Sequence, residues 1–586
     1  MSTKHFSNSP DALVLSALRA VTFTNPNTAF DERNKTIYIR PDAVRGKQVS
    51  IVTGGGSGHE PSFASYVGPG LLSAAVAGTI FASPSAEQIR RCLLEKVDPS
   101  VGVLVIVMNY TGDVLNFGMA VEKAKAAGVR VEMVVVGDDV GVGRRKGGKV
   151  GRRGIAGAVL VQKIVGALAA TGASLEDVHK LACAIAENVV SIGCSLDHVH
   201  VPGRSMDVAA SLAQGEVEIG MGIHNEPGTE RIKADLPGVV EVMLKYMLDQ
   251  EDKDRAFVDI RKGEKDTVLL VNNLGGVSPL EMGAITQEVA SQLSSTYAIE
   301  PARILSGTFM TSLNGLGFSI SLLKVADTDV GKSMLELLDA PADCTGWSAP
   351  IQSKTWSSRP NQTREGSSSL DGQNQPCGLD LDLTQATGAL RNGLERVIKS
   401  EPETTRYDTV VGDGDCGVGL KRGAEAILQL LDNGNMPKDA ALFLDQIIGV
   451  VEMTMDGTSG ALYAIFLNAL ARGLRDQSGT QQKPANSKVW AEALDTAMES
   501  MSRYTPAKPG DRTLVDALAP FVELLNQSGD VRKAAQAAEK GATDTKGMKA
   551  SLGRSVYVGG EGFEEVPDPG AYGLAQFLIG LTEGLN

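Results

Sequence analysis

Gln48-Val49-Ser50-Ile51-Val52-Thr53-Gly54-Gly55-Gly56-Ser57-Gly58-His59-Glu60-Pro61 is the stretch on which the fold turns. Its first six residues read as a short β-strand. The glycines that follow read as a tight turn that lets backbone N–H groups approach a ligand. That turn aims His59 from the carboxyl end of the strand, where open α/β sheets place their sites. A dinucleotide fingerprint would need glycine where His59 stands. On the glycines alone a strand-to-helix turn without any ligand is an equal alternative, and the histidine moves the balance towards chemistry.

Outward from this stretch, strand-like runs at Val101–Met108 and Val129–Val136 alternate with helix-compatible Ser85–Leu94 and Asn116–Ala127. This is the rhythm of βαβ units in a mostly parallel sheet. Thr267–Asn273, helical Pro279–Leu293, Ala302–Ser306 and Phe318–Leu323 suggest a second α/β lobe with a mixed sheet. From Ala340 to Gly378 the composition shifts to Pro, Ser, Thr, Asn and Gln, too poor in apolar side chains to build a core. Beyond Leu379 long helical segments follow, among them Thr384–Lys399, Gly417–Asn433, Asp439–Met455, Ala461–Asp476, Lys488–Arg503 and Val531–Lys546, with no comparable β-like run. The expected organisation is an α/β N-terminal substrate domain of two lobes over residues 1–345, a linker over 346–378 and an all-α domain over 379–586.

The length of 586 residues fits several cores. A formal net charge of −14 disfavours nucleic acid as the main partner, because a phosphate backbone asks for a basic surface. Six cysteines without a C-x-x-C pair indicate neither a zinc site nor a disulfide framework, which fits a reducing compartment. Met1–Val14 lacks a basic-then-apolar signal pattern, and the longest apolar run, Val101–Met108, is too short to span a bilayer. The expectation is a soluble cytoplasmic protein with no membrane partner.

Several motifs carry candidate chemistry. In Asn109-Tyr110-Thr111-Gly112-Asp113, Asp113 can orient a hydroxyl or act as acid or base; taken alone it is better read as the N-cap of the next helix. Gly143-Arg144-Arg145-Lys146-Gly147-Gly148-Lys149-Val150 resembles a phosphate loop, but Val150 stands where the hydroxyl ligand for Mg²⁺ is required, so a solvated basic loop is expected. Met221-Gly222-Ile223-His224-Asn225-Glu226-Pro227-Gly228 sets His224 after a β-like stretch, where an imidazole can attack a carbonyl carbon; on its own it is more simply structural. His198 and His200 alternate as on a strand but lack a third metal ligand.

Asp408, Asp413 and Asp415 put three carboxylates within eight residues separated by glycines, a pattern for a hard cation such as Mg²⁺. A calcium loop lacks its later Glu here, and a merely solvated acidic turn stays open as the alternative. Glycine turns at Asp456–Gly460, Pro509–Thr513 and Pro567–Ala571 lie between helices, where N–H groups at a helix start can receive phosphate or ribose oxygens. Ordinary interhelical connections look the same.

Together these stretches resemble the dihydroxyacetone kinase family, in its single-chain ATP-dependent form. Gly-Gly-Gly-Ser-Gly-His-Glu-Pro, Asn-Tyr-Thr-Gly-Asp, Gly-Ile-His-Asn-Glu-Pro-Gly, Gly-Asp-Gly-Asp-Cys-Gly and the terminal Asp-Pro-Gly-Ala occur in the family's order along nearly the whole chain. The resemblance implies a helical barrel for the C-terminal domain and transfer of the γ-phosphate of ATP to dihydroxyacetone, with glyceraldehyde as a second acceptor. It implies a hemiaminal between His224 and the ketone carbon, a substrate loop at Gly56, Ser57, Gly58 and His59, and proton handling by His59 and Asp113. It also implies Mg²⁺ on Asp408, Asp413 and Asp415, and a nucleotide pocket at Cys416, Gly417, Val418, Gly419, Thr458, Ser459, Gly510, Arg554, Asp568, Pro569 and Gly570. Relatives are homodimers. Met108 departs from the lysine that many relatives carry there, which removes a cationic contact to substrate oxygens. Two further activities belong with the resemblance: an FAD-AMP lyase (cyclizing) side reaction, and a non-catalytic metabolite-sensing regulator.

Overall fold

The glycine run does not turn. In the computed structural model, Ser50–Ser57 is one strand (β3) that contains Gly54, Gly55 and Gly56. The model describes residues 5–7, 9–44, 47–204, 212–260, 266–348, 351–358, 375–477, 482–552 and 562–585. Packing is the reason for the continuation. A Cβ on Gly54 would lie 2.2 Å from the Val76 carbonyl oxygen, and one on Gly56 would lie 2.8 Å from the Ala82 nitrogen. The expected turn is therefore corrected to a strand whose missing side chains let the neighbouring strand close in.

The chain divides into two compact units, Met1–Arg364 and Glu365–Asn586. In the first unit, one six-stranded sheet runs β1 (Thr28–Asp31), β2 (Thr36–Ile39), β4 (Ala74–Ile80), β3, β5 (Val103–Met108), β6 (Val131–Val136). β4, β3, β5 and β6 pair in parallel, and β1 and β2 extend the sheet antiparallel. A second, mixed sheet runs β11 (Arg303–Gly307), β10 (Thr267–Asn273), β12 (Gly317–Lys324), β7 (Val189–Ser195), β8 (Val217–Ile219), β9 (Glu230–Ile232). Only β10 and β11 pair in parallel there. The helices are α1 (Pro10–Thr24), α2 (Ala86–Arg91), α3 (Thr111–Ala126), α4 (Arg144–Gly147), α5 (Ala158–Ala170), α6 (Leu175–Glu187), α7 (Leu236–Leu248), α8 (Pro279–Tyr297), α9 (Met334–Asp339) and α10 (Ser353–Ser357).

Both sheets feed one apolar cluster, which holds Ile51 and Leu104 of the first and Val268 and Leu323 of the second. α5 joins them. It is buried at every position but the last, Gln162 and Lys163 included, and a helix buried on all sides has no apolar stripe to betray it in the sequence. The basic stretch Gly143–Val150 opens into the short α4 and is anchored to its surroundings. Arg144 donates to the carbonyls of Lys253 and Ala256, and Lys146 Nζ donates to those of Pro227 and Gly228 at 3.2 and 3.3 Å.

The second unit is a ring of helices: α11 (Leu383–Val411), α12 (Cys416–Asp432), α13 (Ala440–Thr454), α14 (Gly457–Asp476), α15 (Ser487–Met501), α16 (Val515–Ser528), α17 (Val531–Asp544) and α18 (Pro569–Glu583). Each packs on the next in sequence, and α18 closes on α11. α11 outruns the expected end at Lys399 and carries Pro402 inside it. Proline removes only one N–H from the ladder, and the extension brings Thr404 and Asp408 into the interior. Inside the ring lies an apolar cavity of about 580 Å³, lined by side chains such as Ile427, Phe443, Phe466, Phe521 and Leu574. The only β-structure described in this unit is the two-residue pair β13 (Leu379–Asp380) and β14 (Lys483–Pro484). Among the described residues no helix is long and apolar enough to cross a membrane.

Because the Gly54 hydrogen points at main chain that cannot step aside, Gly54→Ala should destabilise the protein by about 1–3 kcal/mol. The measurement is the shift of the urea midpoint at unchanged slope.

Candidate functional site

In the first unit the two histidines singled out in the sequence meet. His59, buried at the end of β3, and His224, in the loop after β8, face each other through their Nε2 atoms at 3.0 Å, with rings nearly perpendicular. His59 Nδ1 donates to the Thr311 carbonyl at 2.8 Å, and His224 Nδ1 donates to Glu226 Oε1 at 3.0 Å. Both Nδ1 atoms therefore carry hydrogen, and two bare lone pairs cannot face each other at hydrogen-bond distance. One shared proton lies between the Nε2 atoms, and the Glu226 carboxylate balances its charge. Burial first, then the neighbouring His224, pushes His59 down to about 3, against the Thr311 and Glu226 contacts, so His59 is the neutral acceptor of the pair.

The segment Phe309–Leu313 positions both rings. Its Thr311 and Leu313 N–H groups donate to the carbonyls of His59 and Gly58, while Ser312 Oγ donates to the Ile223 carbonyl at 2.6 Å. The segment is itself fixed by Asn272 of β10, whose amide oxygen accepts from Phe309 N and Met310 N and whose amide nitrogen donates to the Met310 carbonyl. Asn225, beside His224, has φ of 65° and exchanges two 2.9 Å hydrogen bonds with the Val199 main chain. Phe81 and Tyr110 stand edge-on to the His224 ring, with centroids 5.2 and 4.7 Å away. Thr311, Ser312, Asn272, Glu226, Phe81 and Tyr110 were all missed as site residues in the sequence, although Tyr110 and Glu226 lie inside motifs quoted for their neighbours.

Asp113 is not a helix cap, as it was expected to be on its own reading. Tyr110 is the N-cap of α3, and Asp113 sits buried in the first turn, its Oδ1 without a hydrogen-bond partner. Burial raises its carboxyl above the usual range, opposed by the Ser83 hydroxyl and by His224. A Cβ on Gly55 would lie 4.0 Å from that oxygen, so the glycine run keeps open the space beside it. The Ser57 hydroxyl is spent on the Gly78 carbonyl at 3.0 Å, and Gly58, at φ of 103°, passes under the Phe81 ring. Met108 is buried in the apolar cluster, 3% exposed. His198 and His200 lie outside any strand, and His198 faces Glu218 at 3.6 Å.

In the second unit the sequence candidates gather where α11 ends and α12, α14, α16 and α18 begin. Oxygen atoms of Asp408, Asp413 and Asp415 lie within 4.8 Å of one another, the one group of three or more potential metal ligands among the described residues. An all-carboxylate donor set with no nitrogen or sulfur suits a hard divalent cation. Asp408 is fixed by accepting the Cys416 N–H at 2.9 Å, and Gly417 is bare because a Cβ would strike Thr405 Oγ1 at 2.3 Å. Gly419 opens on space, beside exposed Val418. Asp456 turns its carboxylate to Arg422 instead of capping α14, so the Thr458–Ser459 end keeps its N–H groups available.

Asp516 holds the Gly510–Thr513 turn by accepting the N–H groups of Gly510 and Thr513 at 2.5 and 2.7 Å. Asp568 caps α18, ahead of Pro569 and Gly570, through a 2.7 Å bond from Ala571 N. Burial lifts Asp568 to about 7, against Ala571 and Arg512 and with Asp516 and Asp408. Arg512, unremarked in the sequence, is buried with φ of 60° and donates to the carbonyls of Met548, Phe563 and Val566. Arg554 lies outside the described residues. Helix starts with uncapped N–H groups beside carboxylates can take a polyphosphate with its cation.

The comparisons agree with this division. A Dak1 domain matches residues 19–346 and a DAK2 domain matches residues 410–583. A dihydroxyacetone kinase of Pichia angusta is 43% identical, over 100% of this chain and 99% of its own length. A human triokinase/FMN cyclase is 36% identical over the whole of both chains. The crystal structure of the C. freundii dihydroxyacetone kinase in complex with AMP-PNP and Mg²⁺ superposes with a TM-score of 0.63 at 31% identity, covering 99% of this chain and 100% of that one. The chain belongs to the dihydroxyacetone kinase family.

Asn272 satisfies three buried main-chain groups under the two histidines. Asn272→Ala should cost about 2–4 kcal/mol in unfolding free energy, read from denaturant melts.

Proposed function

We propose that this chain transfers the γ-phosphate of ATP to dihydroxyacetone to give dihydroxyacetone phosphate, with the acceptor held as a hemiaminal on His224. The enzyme is an ATP-dependent dihydroxyacetone kinase that uses Mg²⁺. The observation that carries the tethering is the Nε2 contact of His59 and His224, with Glu226 behind His224. In the tethering step the His224 Nε2–carbon bond forms, the carbonyl π pair moves to oxygen, and that oxygen takes the proton the two imidazoles shared. The ring keeps its Nδ1 hydrogen and its positive charge, which Glu226 balances throughout.

A carbonyl is required, so glycerol, with the same hydroxyls and no electrophile, is rejected chemically. The aldehyde carbon of glyceraldehyde meets the requirement, and the triose is proposed as a second acceptor. For the phosphoryl step, Asp113 suits the proton leaving the attacking hydroxyl better than His59 does, since burial raises the one and lowers the other. Gly56, Ser57 and Gly58 would then offer main chain, and Met108 an apolar wall, to the same small ligand.

In the second unit Asp408, Asp413 and Asp415 would hold Mg²⁺. Cys416–Gly419, Thr458, Ser459, Gly510 and Asp568–Gly570 would line the nucleotide. When bound, the cation neutralises phosphate charge and aligns the β- and γ-oxygens. The name of the human relative favours a second reaction at this end, cleavage of FAD to a cyclic riboflavin phosphate and AMP; incubation with FAD and Mn²⁺ tests it. A purely sensing regulator would not need the carboxylate group of the second unit. The proposed assembly is a homodimer in the cytoplasm.

Asp413→Asn or Asp415→Asn should abolish Mg²⁺-dependent turnover, by about 100-fold or more, while leaving dihydroxyacetone binding intact. ADP release and calorimetry with the ketose check the two halves. His224→Ala should lose nearly all turnover and retain nucleotide binding. The wild type should phosphorylate dihydroxyacetone and ignore glycerol; efficient glycerol phosphorylation would mean that no covalent tether operates.

A further inference from the structure

Glu226 makes two contacts that use opposite ends of one carboxylate. Oε1 accepts from His224 Nδ1 at 3.0 Å, and Oε2 accepts from the His224 main-chain N–H at 2.9 Å. The loop closes further because Gly222 N donates to the Glu226 carbonyl at 3.0 Å. Behind the carboxylate stands Arg153, 12% exposed, which pairs with buried Asp139 at 2.7 Å and donates to the Gly220 carbonyl at 2.7 Å. Arg153 Nη1 and Glu226 Oε2 lie 2.4 and 2.0 Å from the point a Cβ would occupy on Gly222. Only glycine at 222 lets the two charges share that space. Burial raises the Glu226 carboxyl, but the hydrogen bonds and charge of His224 outweigh it and bring the group down to about 2.

We propose that Glu226 is a positioning residue for the transfer: it keeps a hydrogen on His224 Nδ1, so that Nε2 is the nitrogen that bonds to the acceptor carbon once the shared proton has left it, and it serves as counter-ion to the alkylated ring. Arg153, itself fixed by Asp139, brings a second positive charge close behind the carboxylate. This rests on the hemiaminal reading of His224. The chemistry is one-sided. An imidazole bonded to carbon at Nε2 and to hydrogen at Nδ1 is a cation, and a carboxylate at Nδ1 stabilises it as no neutral group can. The second contact removes the freedom to flip: with Oε2 committed to the main-chain N–H, Oε1 has one place to be.

Glu226→Gln tests this, because the amide has a single acceptor. If the amide oxygen stays on the His224 N–H, the NH₂ group donates to Nδ1 and strips its hydrogen, so that the ring is neutral, keeps its one hydrogen on Nε2 and can no longer give it up to become the nucleophile. The protein has six histidines, so the ring nitrogens can be assigned in ¹⁵N-histidine NMR with single substitutions. The expected result is loss of the His224 Nδ1–H signal, leaving a hydrogen on Nε2 alone where the wild type has one on Nδ1 and shares a second at Nε2. The ketone resonance of 2-¹³C-dihydroxyacetone should persist where the wild type converts it to a tetrahedral carbon. kcat/KM for dihydroxyacetone should fall about 100-fold or more, with KM for Mg-ATP unchanged. Glu226→Asp keeps a carboxylate that reaches one of the two partners and should recover at least about fivefold over the amide.

An unchanged tautomer, or a tetrahedral carbon formed by Glu226→Gln at the wild-type level, overturns the role of Glu226. So does an equal loss in both variants, which would mean that the residue only packs the loop. A wild type that never shows the tetrahedral carbon overturns the hemiaminal instead, and the ring signals still decide whether Glu226 sets the tautomer.

Discussion

Everything around the paired histidines hangs from one side-chain amide. Asn272 satisfies the main chain of Phe309 and Met310 in both directions, and so fixes a five-residue segment that has no strand or helix of its own. From that segment the Thr311 carbonyl orients one imidazole, and the Ser312 hydroxyl anchors the loop of the other. The two histidines are 165 residues apart in sequence and come from the two different sheets, so neither could hold the other without a third element that touches both. A buried amide with all its hydrogen bonds made is a rigid support, because any movement leaves polar groups without water or partner.

The second unit solves positioning differently. In a ring of helices that each pack on the next, the ends of one helix and the starts of the following one fall together. The starts of α12, α14, α16 and α18 can therefore serve one ligand although they are scattered over more than 150 residues of sequence. The acidic groups there do different work. Asp408, Asp516 and Asp568 are tied to backbone N–H groups and shape the turns, while Asp413 and Asp415 stand at the surface.

The sequence disclosed the parts that carry charge or break a pattern. His59 and His224 stood out as imidazoles set in polar turns, the three aspartates as carboxylates crowded within eight residues, and the long helices through their apolar period. The parts that stayed hidden are of two kinds. α5 and β4 carry no alternation, since one is buried on every side and the other is built mostly of alanine, glycine and valine. Asn272, Thr311 and Ser312 act through distant backbone atoms, and no local spacing announces a contact of that range. The glycine run was misread for a related reason: its bareness serves Val76 and Ala82, which the sequence does not place nearby. Asp113 was read as a cap because its burial under β3 is a property of the assembled sheet.

The closed contact between His59 and His224 leaves no gap for a carbon atom. Any ligand of either Nε2 has therefore to take over the partner that the protein supplies to itself. A molecule that binds either ring must first open the internal pair. Each imidazole thus carries a built-in competitor for its Nε2, one that is always present at unit stoichiometry.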